Sequence, residues 1–258
     1  MTVTPRLADA LDRIHDLFGG LTAAPGETGC TYCYGEQDIA LLHRPDVPLP
    51  DDLLCSFLHE VPDHFDDHPA VIRRLLPQFC TWLAAGSFEG IGYASCGLGR
   101  SGWPGWPGPQ AAAVREFIDA WWDDFLRRDS SPYDITDVFA YCADLGGTVT
   151  PLLARWADEP VGGPGDQELA HACEAWEQDL LGDDAGGVVP WWYWFDRDEP
   201  VREVQLWLAG HAPPRLRAAG ADPDLVTRIE LLALPYDDRW AHPYWDAADS
   251  SASAAETN

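Results

Sequence analysis

Two cysteines three apart, in Gly29-Cys30-Thr31-Tyr32-Cys33, are the sharpest chemical motif in this chain. A Cys-x-x-Cys loop can present two thiolates to one zinc ion, or cycle between dithiol and disulfide. A structural zinc site needs four ligands, and no second Cys-x-x-Cys follows. Completion would fall to His43, Cys55, His59, His64 or His68 downstream. Cys30 and Cys33 with His59, His64 and His68 are therefore the candidate metal ligands, and zinc is the cofactor such a set would take. His64 and His68 are four apart, the spacing that puts two imidazoles on one helical face, but Pro69 pushes His68 out of helical geometry. The run His59-Glu60…His64…His68 matches none of the zincin spacings. A redox pair would want a strand-turn-helix around the cysteines, and nothing upstream reads as a strand. The third reading is two small side chains in a loop packed under the first helices. Among the nearby acids, Asp66 stands where it could cap the following helix.

Tryptophan is the second unusual feature: the 258-residue chain carries 13. Trp191, Trp192 and Trp194 cluster with Tyr193 and Phe195, and Trp103 and Trp106 flank a Pro-Gly turn. These five tryptophans are the candidate binding residues, as stacking surfaces for a small molecule or a partner, against the alternative of core packing. Gly97-Leu98-Gly99-Arg100 is not a phosphate loop, since no lysine follows and no strand precedes it. The glycine-rich segment 86–108 reads as a flexible linker. There is no Gly-x-Ser-x-Gly elbow, and no general acid can be chosen from 43 carboxylates without geometry.

Charge sets the partner class. There are 43 acidic against 16 basic residues, a formal −27 at pH 7. All 16 basic residues are arginine, and that absence of lysine, with abundant Ala, Gly and Pro, is the composition of a GC-rich bacterial coding sequence. Such a surface repels nucleic acid and anionic membrane and steers basic partners toward it. The N-terminus shows no apolar core of a signal peptide, and no apolar run of about 18 residues exists. The expectation is a cytoplasmic protein with reduced thiols.

The elements that would position these residues are helices. Pro5 to Phe18 places Leu7, Leu11, Ile14 and Phe18 on one face and stops at Gly19-Gly20. Helical patterns recur over 36–43, from Asp51 toward Pro62, over 67–82 with a kink at Pro77, and over 110–127. They continue over 134–145, 149–156, 167–181, 201–208 and 223–234. Segment 186–198 reads as an aromatic loop, because Pro190 argues against a strand. No strand pair emerges. The fold class expected is all-α, a stack of short helical hairpins of HEAT-like or irregular solenoid type. It would form one domain over 1–245, with a disordered tail over 246–258.

Three segments, in order, carry a resemblance. They are Cys30-Thr-Tyr-Cys33 with Asp51-Asp-Leu-Leu54; Ile72-Arg-Arg-Leu-Leu-Pro-Gln-Phe79 ending in Leu83; and Gly102-Trp-Pro-Gly-Trp-Pro107 with Ala113-Val-Arg-Glu-Phe117 and Trp121-Trp122. Together, over roughly residues 28–126, they resemble a group of uncharacterised bacterial helical proteins with an N-terminal Cys-x-x-Cys element and a Trp-x-x-Trp-Pro turn. Thr31 stands where proline is common in that group, and Gln78 where arginine is common. The resemblance implies a helical fold and transfers no activity.

The functional expectation is an acidic protein-interaction module that binds a basic partner, in the manner of an immunity protein or antitoxin. A zinc-dependent enzyme built on the Cys-x-x-Cys and nearby histidines is one alternative. A small-molecule binder with a Trp-lined pocket is the other.

Overall fold

The computed structural model of the protein describes residues 3–88, 91, 96–184, 188 and 198–246. Every regular element among them is helical. The chain gathers into two compact units, Met1–Trp156 and Ala157–Asn258.

The first unit holds α1 (Pro5–Phe18), α2 (Glu36–Leu42), α3 (Asp51–His59), α4 (His68–Ala85), α5 (Cys96–Arg100), α6 (Gly108–Leu126), α7 (Ile135–Gly146) and most of α8 (Thr150–Asp158). Single 3-10 turns lie at Pro62–His64 and Trp103–Gly105. α1 shows how the sequence builds these helices. The Thr4 side chain caps it by accepting the Leu7 N–H, and Pro5 opens it where no amide donor is needed. Leu7, Ala10, Ile14 and Phe18 form a fully buried stripe against α4 and α6. Burying each of the larger three stabilises the unit by about 1.5–3 kcal/mol. The middle of α6 is aromatic: Trp122 stacks on Phe125 and meets Trp156 of α8 edge-on at 5.4 Å. Its indole N–H donates to the Leu152 carbonyl at 3.1 Å, which satisfies that ring's polar atom within the core.

Residues 96–105 of the glycine-rich segment do not form a linker. Residues 96–105 carry α5 and a 3-10 turn, with Leu98 and Trp103 buried. Its glycines permit close approach. A Cβ at Gly97 would lie 2.6 Å from the Leu58 carbonyl oxygen of α3, and one at Gly99 would lie 2.6 Å from an Asp144 carboxylate oxygen of α7. Glycine here lets a short helix wedge between α3 and α7.

The second unit packs α9 (Pro164–Leu181), α10 (Asp198–Ala219), α11 (Pro223–Leu231) and α12 (Tyr236–Trp240). α10 runs eleven residues beyond the 201–208 pattern at its C-terminal end, through Pro213 and Pro214. Each interior proline costs about 3 kcal/mol. Burial of Leu208, Ala212, Pro213 and Leu216, on a helix packed against α9 and α11, offsets that cost. Arg239, 1% exposed, ties the unit together. It donates to the carbonyls of Leu180, Leu181 and Leu234 and pairs with Asp183 at 2.6 Å.

Candidate metal centre

The Cys-x-x-Cys motif lies on the loop between α1 and α2, which a buried acid holds in shape. Glu27, 3% exposed, accepts N–H groups from Gly29 (2.8 Å), Asp66 (3.0 Å) and Asp67 (2.8 Å). One carboxylate thus fastens the cysteine loop to the start of α4. Asp66 reinforces the joint by accepting from the Thr28 amide and hydroxyl. The cap of α4 is therefore Asp67, which accepts the Ala70 N–H, and not Asp66 as the sequence suggests. Gly29 has φ +59°, and a Cβ there would fall 2.4 Å from Ile39. Glycine lets the chain turn into Cys30 there without the strain that a side chain would meet.

From Cys30 the chain makes a tight turn, with the Cys33 and Tyr34 amides both donating to the Cys30 carbonyl at 3.0 Å. Backbone hydrogen bonding from Cys33 and Tyr32, with the Cys33 thiol, holds the Cys30 thiol below its ordinary range. The Cys33 thiol is raised by its hydrogen bond with Cys30, by desolvation and by the charges of Cys30 and Glu60. This division makes Cys30 the more acidic thiol of the pair.

The opposite wall comes from the end of α3 and the 3-10 turn. His64 Nδ1 stands 3.6 Å from Cys33 Sγ and 2.9 Å from Glu60 Oε1. Glu60 is held in turn: the Tyr34 hydroxyl donates to Oε2 at 2.8 Å and the Val61 amide to Oε1 at 3.0 Å. Burial pushes the Glu60 carboxyl up, but the bonds from Tyr34, Val61 and His64 outweigh it and leave the group below its usual range. Tyr34 itself is locked between Phe57 (4.7 Å) and Phe65 (6.0 Å).

The ligand atoms of Cys30, Cys33 and His64 all lie within 4.8 Å of one another. A tetrahedral zinc with Zn–S of about 2.3 Å and Zn–N of about 2.0–2.1 Å requires an S···N edge of about 3.5–3.6 Å. The Cys33–His64 separation has that length. Two sulfurs and an imidazole also suit zinc by softness.

The other predicted ligands stand elsewhere. His59 directs Nδ1 at Cys55 Sγ (3.2 Å) and packs its ring near Phe88. His68 is buried at the start of α4, stacked on Phe65 at 6.0 Å, and burial with the Arg100 charge disfavours its protonated form. His64 and His68 lie on separate elements, so their spacing of four does not place them on one helical face. Cys33, Tyr34, Asp52, Cys55, Ser56, His59 and Glu60 line an open groove of about 530 Å³ beside the metal-ligand group.

Of the five candidate tryptophans, Trp191, Trp192 and Trp194 lie outside the described residues. Trp103 is 1% exposed, and its indole N–H donates to the Leu145 carbonyl at 2.9 Å. Trp106 is buried between Phe18, at 5.9 Å, and the Arg73 guanidinium, at 4.9 Å. Both belong to the helical packing of the first unit.

Sequence reasoning missed Glu27, Tyr34 and Glu60. The Glu60–His64 spacing of four was a legible signal, whereas nothing local marks Glu27 as the residue that brings the two walls together. No known protein family, curated protein or solved structure matches the chain.

Proposed function

We propose that this chain is a zinc-binding helical protein that holds one ion at Cys30, Cys33 and His64. The observation that carries the reading is the convergence of these three donors within 4.8 Å, from two segments joined by Glu27. When bound, zinc supplies a cross-link between the cysteine loop and the corner between α3 and α4. Cys30 and Cys33 supply thiolates, His64 supplies a neutral imidazole nitrogen, and the Tyr34 hydroxyl orients Glu60 beside that nitrogen. Glu60 is the residue placed to occupy or guard the fourth position. Free thiols in such a site fit a reducing compartment, which supports a cytoplasmic location.

The wider role we propose is recognition of a basic protein partner by the acidic surface. The formal charge of −27 supports this, and the same charge disfavours nucleic acid. No helix among the described residues is long and apolar enough to cross a membrane. A zinc-dependent enzyme is the second reading. Three protein ligands beside an open groove that also presents Glu60, Asp52 and Ser56 favour it.

Metal analysis of protein purified without chelator tests the site. One zinc per chain, with the metal content reduced in both Cys33→Ser and His64→Ala, is the expected result. Metal-free wild-type protein that takes up no added zinc contradicts it.

A further inference from the structure

A second cavity in the first unit, away from the cysteine loop, has the makings of a ligand site. It encloses about 350 Å³ between the end of α1, residues 46–48 and one face of α4. That is the lower end of the range for small-molecule pockets, about 300–1,000 Å³. Phe18, Leu21, Val47, Pro48, Pro77 and Trp82 make its walls apolar.

One cation lies in this apolar lining. Arg74 is 6% exposed. Its Nε donates to the Arg44 carbonyl at 3.1 Å and its Nη2 to the Val47 carbonyl. Nη1 makes no hydrogen bond among the described residues, and no carboxylate there lies within 4.0 Å of the guanidinium. Two carbonyl dipoles solvate the group but supply no countercharge. A buried charge without a paired anion is costly, and one that lines a pocket is a place for a ligand's anion to sit. Asp46, the acid in the lining, attracts the Arg74 charge through space without pairing with it within 4.0 Å, and its carboxylate is engaged by the Gly20 amide at 2.8 Å. That neighbouring negative charge, and the acidic surface as a whole, disfavour a dianion such as a phosphate monoester. The other polar groups satisfy one another. Gln78 exchanges two hydrogen bonds with the Leu49 backbone, and His15 pairs with Thr81 at 3.1 Å.

We propose that this pocket binds a small apolar monocarboxylate, its carboxylate on the free edge of the Arg74 guanidinium and its hydrocarbon part against Phe18, Leu21, Val47, Pro77 and Trp82. Arginine suits this role because its planar fork keeps two nitrogens on backbone carbonyls while the third meets the ligand. The proposal does not depend on the zinc site.

The test uses 4-phenylbutyrate and octanoate as probes, with their primary amides as neutral controls, titrated into the full chain by calorimetry and by saturation-transfer NMR. At least one acid should bind saturably with a Kd of about 1 mM or tighter, and its amide about tenfold or more weakly. Arg74→Gln should reduce the acid to the affinity of its amide. Because that variant removes a buried tether, Thr81→Trp serves as an independent check, placing an indole over the pocket from an exposed position on α4. It should abolish binding of the acid while the protein stays folded. Failure of both acids to saturate, equal affinity for acid and amide, or undiminished binding to the folded Thr81→Trp protein would each overturn the proposal.

Discussion

Cys33 Sγ and His64 Nδ1 stand 3.6 Å apart although 31 positions separate them in the chain. The spacing is that of two ligands on a tetrahedral zinc. Glu27 and Tyr34 maintain it without touching either atom, while Glu60 contacts His64 Nδ1 itself at 2.9 Å.

Glu27 is the strongest of them. Replacing it by alanine leaves the Gly29, Asp66 and Asp67 amides without their acceptor. Hydrogen bonds to a charged acceptor are worth about 1.5–3 kcal/mol each, and relaxation toward water returns part of that. Glu27→Ala should lower unfolding stability by roughly 3 kcal/mol in urea titration. It should also weaken zinc binding although no proposed ligand changes. An unchanged zinc affinity would show that the loop holds its shape without this carboxylate.

Glu60 and Tyr34 should act more mildly. Partners hydrogen-bonded around metal ligands typically alter affinity by about 10–100-fold. Glu60→Gln should therefore weaken zinc within that range, and Tyr34→Phe should weaken it less, because the Val61 amide still holds Glu60 in place. Competition against a chromophoric chelator measures both.

Gly97 tests the close packing of α5. A methyl group there meets the Leu58 backbone carbonyl at 2.6 Å, where no flexible side chain can yield. Gly97→Ala should destabilise the protein by about 1–3 kcal/mol, the usual cost of overpacking. Gly105, whose added Cβ meets nothing within 4 Å, provides the control and should tolerate alanine.

The second unit carries a pH signature. Burial raises the Asp183 carboxyl, but hydrogen bonds from Gln205 and Arg239 outweigh that and hold it below its ordinary value. A depressed folded pKa means a contribution that is fully present above the unfolded value of about 3.9 and is lost as pH falls through the lower folded value. Asp183→Asn should flatten the fall in urea midpoint between about pH 5 and pH 2, and should leave the slope above about pH 6 unchanged.

Where local chemistry decides, the sequence was legible. Pro5 and the Gly19-Gly20 stop bound α1 at its observed ends, and Asp134 caps α7 by accepting the Thr136 amide. Tertiary packing overrode local signals elsewhere. Pro213 and Pro214 argue against a helix that runs through both, and the glycines of 96–105 argue for a linker where a buried wedge stands. The unit boundary at Trp156 falls inside α8, so no linker composition marks it. For the metal site, residue types brought forward Cys30, Cys33 and three histidines. Selecting His64 needs the Glu27 joint and the 3-10 turn at Pro62, which are relationships in space rather than along the chain.

X-ray absorption at the zinc edge, on protein purified without chelator and assayed for metal, tests the central claim most directly. One zinc per chain, with two sulfur scatterers at about 2.3 Å and the remaining nitrogen or oxygen scatterers at about 2.0–2.1 Å, is the predicted result. In His64→Ala the two sulfurs should remain in whatever metal fraction survives. Stoichiometric zinc with a shell of nitrogen and oxygen only, or no zinc uptake by the reduced wild-type protein, would contradict the account.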